Sequence, residues 1–394
     1  MLRHSTHCSH SRTVQLLRMQ NCRAPVACLF AAGLLVSAIA GRGYASEKKR
    51  EWDATAAARY LDQRLEWWRK WPKSQRDHDT RCISCHTALP VALARPALRA
   101  SLGERSQTLT EQAMYADIVK RVQMWRDVEP FYPDQRSGLP KSSESRAVEA
   151  VLNALFLVAR DNESGGQMSA VTRTAFANMW PLQMQTGTLK GGFAWLMFKL
   201  EPYESETATY WGATLAAIAV ARAPDGYAAS PEIAANVEAL KAYLRTAYTG
   251  ESSLFTRALV LWADANLTGI LDVTQRKATT DALRTAQGLD GGWALKNLSS
   301  WQRRDGSALP DASDGYATAI IAMILQEAGL PPSAKPVKNA RAWLVEHQSA
   351  DHGGMPATSI NKLREPIADA YLFMTDAATG FAALALAEAP TRAQ

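Results

Sequence analysis

The residues whose types and spacing point most directly to chemistry lie in Arg81-Cys82-Ile83-Ser84-Cys85-His86. Two thiols three positions apart, on a turn or helix start, can reach the two vinyl groups along one edge of a haem. The histidine after the second cysteine then falls under the iron. This C-x-x-C-H pattern predicts one covalently attached haem c, with Cys82 and Cys85 as thioether donors and His86 as the axial ligand to the metal. Three other readings compete. A zinc site needs a second ligand pair, and on paper His347 and His352 could join Cys82 and Cys85. A thioredoxin-like redox pair lacks a βαβ context. A disulfide between residues so close would close too small a loop to stabilise much.

The second axial position is open in the sequence. Met114 and Met124 follow His86 but sit in segments that read as ordinary helix, while His78 lies eight residues before it. Met197, His352, Met355 and Met374 lie further along, in loops or at helix starts. Trp67, Trp68 and Trp71 share a helical face by spacing and are placed to shield one haem face from water.

The N-terminus predicts export. The first 45 residues hold Arg3, Arg12, Arg18, Arg23 and Arg42 and no acid, and an uncharged run follows from Ala24 to Gly41. Small-residue cleavage patterns come next at Ala38-Ile39-Ala40 and Gly43-Tyr44-Ala45. Residues 1–45 therefore read as a secretory signal peptide cut after Ala45, with Met19 as an alternative start. An uncleaved anchor is the competing reading, since the run of 18 residues is at the lower edge of a membrane span. Membrane association is expected only in that case; otherwise the protein is periplasmic. Removing the segment takes away Cys8, Cys22 and Cys28 and leaves Cys82 and Cys85 as the remaining cysteines. It also changes the charge: the whole chain is +6, but 39 basic against 38 acidic residues remain after Ala45. A near-neutral chain argues against a nucleic-acid partner.

Beyond residue 104 the chain alternates apolar helical stretches with glycine-containing loops and shows almost no alternating strand pattern. Gln287-Gly288-Leu289-Asp290-Gly291-Gly292-Trp293 recurs as Gln348-Ser349-Ala350-Asp351-His352-Gly353-Gly354-Met355, and Gln185 through Gly191-Gly192-Phe193 is a looser copy. Each copy closes one helix. The next opens with an acid and small residues, at Glu206, Asp314 and Asp376. An acid there would cap free N–H groups and meet the positive end of the helix dipole, or, alternatively, face the mouth of a central cavity. Helix pairs without the glycines read at 231–247 with 252–265 and at 109–127 with 142–160. A sixth pairs 54–70 with 88–101. Six pairs in a ring make an all-α (α/α)6 toroid, whose inner helices must be apolar all round, as Ala213–Val220, Ile320–Leu325 and Ala377–Leu386 are. The expected division is a signal at 1–45, N-terminal helices with the haem motif at 46–104, and toroid repeats at 105–390.

Gln287-x-x-x-Gly291-x-Trp293 resembles the QW repeat of squalene–hopene cyclases and related terpenoid cyclases, a resemblance that covers residues 105–390 at the level of repeat pattern. It implies the toroid, shared with protein prenyltransferase β subunits and complement-type thioester domains, and it implies that Gln287 and Trp293 tie neighbouring helices together. The cyclase Asp-x-Asp-Asp acid motif is absent, and Asp311-x-x-Asp314 is too sparse to replace it. Toroid residues contain no cysteine, so the prenyltransferase zinc site and the thioester are not carried over either. Phe193, Trp195, Phe198, Tyr203, Trp211, Trp293, Trp301, Tyr371 and Phe373 either line an apolar cavity or pack the core. The expectation is an exported haem protein serving electron transfer with a redox partner protein. Two alternatives stand beside it: a haem-dependent oxidoreductase acting on a hydrophobic, isoprenoid-like ligand, and a haem-gated binding or sensor module.

Overall fold

The computed structural model describes residues 50–249, 252–365 and 368–387. The predicted signal peptide and the alternative anchor at Ala24–Gly41 lie outside the described residues. Among the described residues no helix is long and apolar enough to cross a membrane.

Thirteen α-helices follow one another among the described residues: α1 Ala54–Lys70, α2 Ala88–Leu102, α3 Leu109–Gln123, the single turn α4 Asp134–Ser137, α5 Lys141–Glu163, α6 Ala170–Met179 and α7 Ala208–Arg222; then α8 Ala234–Arg245, α9 Leu254–Asn266, α10 Val273–Thr285, α11 Gly315–Glu327, α12 Lys335–His347 and α13 Phe373–Leu386. Strands β1 Gln75–Arg76 and β2 Thr80–Arg81 pair antiparallel, with Gln75 opposite Arg81. Helices α2, α5, α7, α9, α11 and α13 each pack on the next, and α13 packs back on α2. That closes an inner ring of six. Outside it, α1, α3, α6, α8, α10 and α12 each lie against an inner helix, so the (α/α)6 toroid is read directly from the helix contacts.

The sequence reasons for this layering are local. Every residue of α11 from Gly315 to Leu325 is buried, because an inner helix meets protein on all sides. Ile320, Ile321 and Ile324 are fully inaccessible, and each such side chain contributes about 1.5–3 kcal/mol by leaving water. In α10 only Thr279 and Leu283 are buried, the narrow stripe of an outer helix. The described parts of 46–104 belong to the same ring, since α1 and α2 form its first hairpin. The C-x-x-C-H motif lies between those two helices.

The repeated glutamines fasten one hairpin to the next. Gln287 Nε2 donates to Gly291 O and to Pro336 O of α12, both at 2.8 Å. Gln348 Nε2 donates to Gly353 O and Asp53 O, and its Oε1 accepts from Asp53 N. Asp53 caps α1, so the last copy closes the ring onto the first hairpin. Gly353 has φ +78°, and a Cβ there would come within 2.6 Å of the Ala56 carbonyl oxygen; a side chain would push the closing repeat off α1. The third copy differs from expectation. Gln185 is exposed, whereas Gln183 donates to Gly191 O and Asn236 O of α8. The tying glutamine is Gln183, two residues earlier, because a longer loop precedes the glycine pair.

The helix-opening acids also divide. Asp314 does cap α11, accepting from Tyr316 N and Ala317 N. Glu206 is exposed and lies before α7, which opens without a side-chain cap. Asp376 is one turn inside α13, and its carboxylate is taken by other partners described below.

Candidate functional site

The loop carrying Cys82, Cys85 and His86 is held from three sides. Arg121 of α3, fully inaccessible, donates to Glu149 of α5 at 2.5 Å and also to Asp77 Oδ1 and Thr80 Oγ1 in the turn just before the motif. Trp68 Nε1 of α1 donates to Cys82 O at 2.8 Å. Ser84 Oγ accepts from Thr87 N and Ala88 N and so starts α2. A buried Arg–Glu pair is costly to break from one side, by about 3–5 kcal/mol, and here it fixes the turn that leads into the motif.

Cys82, Cys85 and His86 line one cavity. Its space, counted out to the open mouth and including the solvent there, is about 830 Å³. Trp68, Phe131, Trp195, Leu196, Phe373 and Met374 form most of the apolar wall, and Tyr132, Glu201, Glu204, Asn361 and Arg364 supply polar groups. Both thiols are free. Burial pushes the Cys82 thiol up to about 11, and burial raises that of Cys85 further. His86 stacks on Phe373 with ring centroids 3.7 Å apart and meets the edge of Trp68 at 5.1 Å. Burial, with smaller contributions from Arg64 and Arg364, lowers its pKa to about 3, so the imidazole is neutral, as a metal ligand must be. Its Nδ1 is 2.8 Å from Thr87 Oγ1.

Most sequence candidates for a second axial ligand are elsewhere. Met114 and Met355 are buried in the core, Met197 is on the surface, and His78 pairs with Asp77 in an exposed turn. His352 lies against Tyr60. Met374 alone among those candidates lines the cavity. The paper zinc set does not assemble: His347 stacks on Trp343, and among the described residues no group of three or more His, Cys, Asp or Glu is placed to hold a metal ion. Of the tryptophans before the motif, Trp68 reaches the cavity, while Trp67 and Trp71 pack behind it on Phe373. The loop aromatics fall into both expected classes. Trp195, Tyr203 and Phe373 line the cavity, whereas Phe193, Trp211 and Trp293 are core with at most 1% exposure.

Glu204 is a site residue that sequence reasoning missed. Its carboxyl has no hydrogen-bond partner among the described residues, and burial raises its pKa to about 7. Only the neighbouring Glu201-Pro202-Tyr203 loop hinted at it, and that loop has no periodicity to read. Arg364 was missed too. It lies 5.9 Å over Phe373 and hydrogen-bonds Asn361, but forms no ion pair among the described residues.

Fold and site together define an all-α ring of six helix pairs with a C-x-x-C-H loop opening into an apolar cavity at its first hairpin. No protein-family model matches the chain, and no curated protein matches it. Among solved structures it is similar to a mutant unsaturated glucuronyl hydrolase from Streptococcus agalactiae, with a TM-score of 0.46, 9% identity, and coverage of 85% of this chain and 89% of that one.

Proposed function

We propose that this chain is an exported c-type haem protein whose function is electron transfer. The observation that carries the reading is the convergence of two free thiols and one neutral imidazole on a single apolar cavity. The residues present suit the group. Cys82 and Cys85 would hold it through thioethers, formed when each S–H adds across a vinyl double bond, and His86 Nε2 would be the axial donor. Arg364 and Asn361 are the wall groups fitted to carboxylate substituents. Bound there, a haem supplies one-electron chemistry. The protein's part is to orient the imidazole, exclude water with Trp68 and Phe373, and set the polarity around the site. Location in the periplasm and a redox partner protein belong to the same proposal, the first on the N-terminal segment and the second on the chemistry.

Glu204 favours a second reading, an oxidoreductase acting on a small hydrophobic ligand. An unpaired carboxyl in an apolar pocket that stays partly protonated at neutral pH is suited to passing a proton to or from a bound molecule.

The test is the pyridine haemochrome assay and absorption spectrum of the full chain exported from cells with haem-attachment machinery. One covalent haem is expected in the native chain, and none in the Cys82→Ala/Cys85→Ala double variant. A native chain without covalent haem would sink the proposal. A six-coordinate spectrum lost in Met374→Leu would favour electron transfer; a five-coordinate one favours the oxidoreductase reading.

A further inference from the structure

Four buried residues, Thr87, Asp376, Tyr60 and Arg64, are linked by hydrogen bonds to the Nδ1 side of His86. Thr87 Oγ1 is 2.8 Å from His86 Nδ1 and donates to Asp376 Oδ2 at 2.7 Å. Asp376 is inaccessible to solvent. Its other oxygen accepts from Tyr60 OH at 2.8 Å and from Arg64 Nε at 2.7 Å. Thr87 occupies the cap position of α2 yet makes no capping bond: Leu89 N donates to Ser84 O, and Pro90 has no N–H to cap. Its hydroxyl is thus left for the bridge between His86 and the last inner helix, 289 residues away.

The direction of these bonds follows from donor and acceptor chemistry. Burial raises the pKa of the Asp376 carboxyl and the Arg64 guanidinium opposes that rise; the hydrogen bonds from Tyr60, Arg64 and Thr87 are all ones it accepts, as a carboxylate does. Thr87 has one hydroxyl proton and gives it to Asp376, which leaves lone pairs alone facing His86. Nδ1 must then carry the imidazole proton, and Nε2 keeps a free lone pair. We infer that Thr87, backed by Asp376, is a positioning residue that fixes the His86 tautomer and ring orientation for coordination through Nε2. The inference rests on the haem reading for its purpose but makes a claim about the chain alone.

The experiment uses the full chain labelled with ¹⁵N at histidine and prepared without haem, and reads the ring nitrogens of His86 by long-range ¹H–¹⁵N correlation. The native chain and Thr87→Ser are expected to show protonated Nδ1 and bare Nε2, and Thr87→Val a mixture of both tautomers. Circular dichroism must match across the three, which Val, close in shape to Thr, permits. In the haem-loaded proteins, losing the bond to an anion-backed hydroxyl makes His86 a weaker donor, so Thr87→Val should raise the reduction potential and Thr87→Ser restore it. A protonated Nε2 in the native chain, or an unchanged tautomer in Thr87→Val, would overturn the inference. Absence of haem with the tautomers as expected would instead overturn the haem reading, so the two failures are distinguishable.

Discussion

Glu204 shows how far the fold can move a side chain from its ordinary chemistry. Burial raises its folded pKa to about 7 from 4.5. Between those values the unfolded chain has released the proton and the folded chain has kept it. Stability therefore falls as pH rises through that window and levels off above about pH 7. Glu204→Gln keeps the shape without the charge, so its stability advantage should grow from near zero at about pH 4.5 to about 3 kcal/mol at about pH 8. Urea unfolding of both proteins across that range checks it, and a constant difference would mean that the carboxyl is solvated. Residues of this kind were out of reach of the sequence for a plain reason. Cys82, Cys85 and His86 are legible because the C-x-x-C-H pattern is contained in neighbouring positions of the chain. Thr87, Asp376, Glu204 and Arg364 acquire their roles from neighbours hundreds of residues away, or from an apolar surrounding that only packing creates.

The helices were legible because each repeat must bury its own apolar face, and that need writes a period into the sequence. The pairs at 54–70 with 88–101, 109–127 with 142–160 and 231–247 with 252–265 all appear in the ring. Loop length hides one repeat: the copy near 185 has a longer approach to its glycines, so the tying glutamine is Gln183 and not Gln185. The two glutamines make opposite predictions. Gln183 holds two backbone carbonyls and the Asn236 side chain, so Gln183→Ala should cost about 1–3 kcal/mol, the usual effect of stranding buried polar partners. Gln185 is exposed, and its alanine variant should stay within about 0.5 kcal/mol of the native chain. Denaturant midpoints of the two variants decide between the assignments.

The molecule as a whole is a chain of pairs whose last member must find its first, and the candidate site sits where they meet. His86 and Thr87 precede α2; Phe373, Met374 and Asp376 belong to α13. Neither helix alone has a site, and the α2–α13 contact builds one. That contact depends on Gly380, where a Cβ would lie 2.4 Å from the Pro90 Cβ and 2.9 Å from the Pro90 carbonyl oxygen. Gly380→Val should force the two helices apart, since overpacking of a tight crossing costs about 1–3 kcal/mol or more. Because every inner helix has two inner neighbours, a closed ring has no end from which to fray, and the loss should appear as a lower but still single thermal transition. The same displacement would withdraw Phe373 from His86 and Asp376 from Thr87. On the haem proposal, covalent haem per folded molecule should therefore fall together with the melting temperature, measured by haemochrome yield on the monodisperse fraction. Gly380→Val with a lower melting temperature and full haem content would show that the site is set by its own loop and not by ring closure.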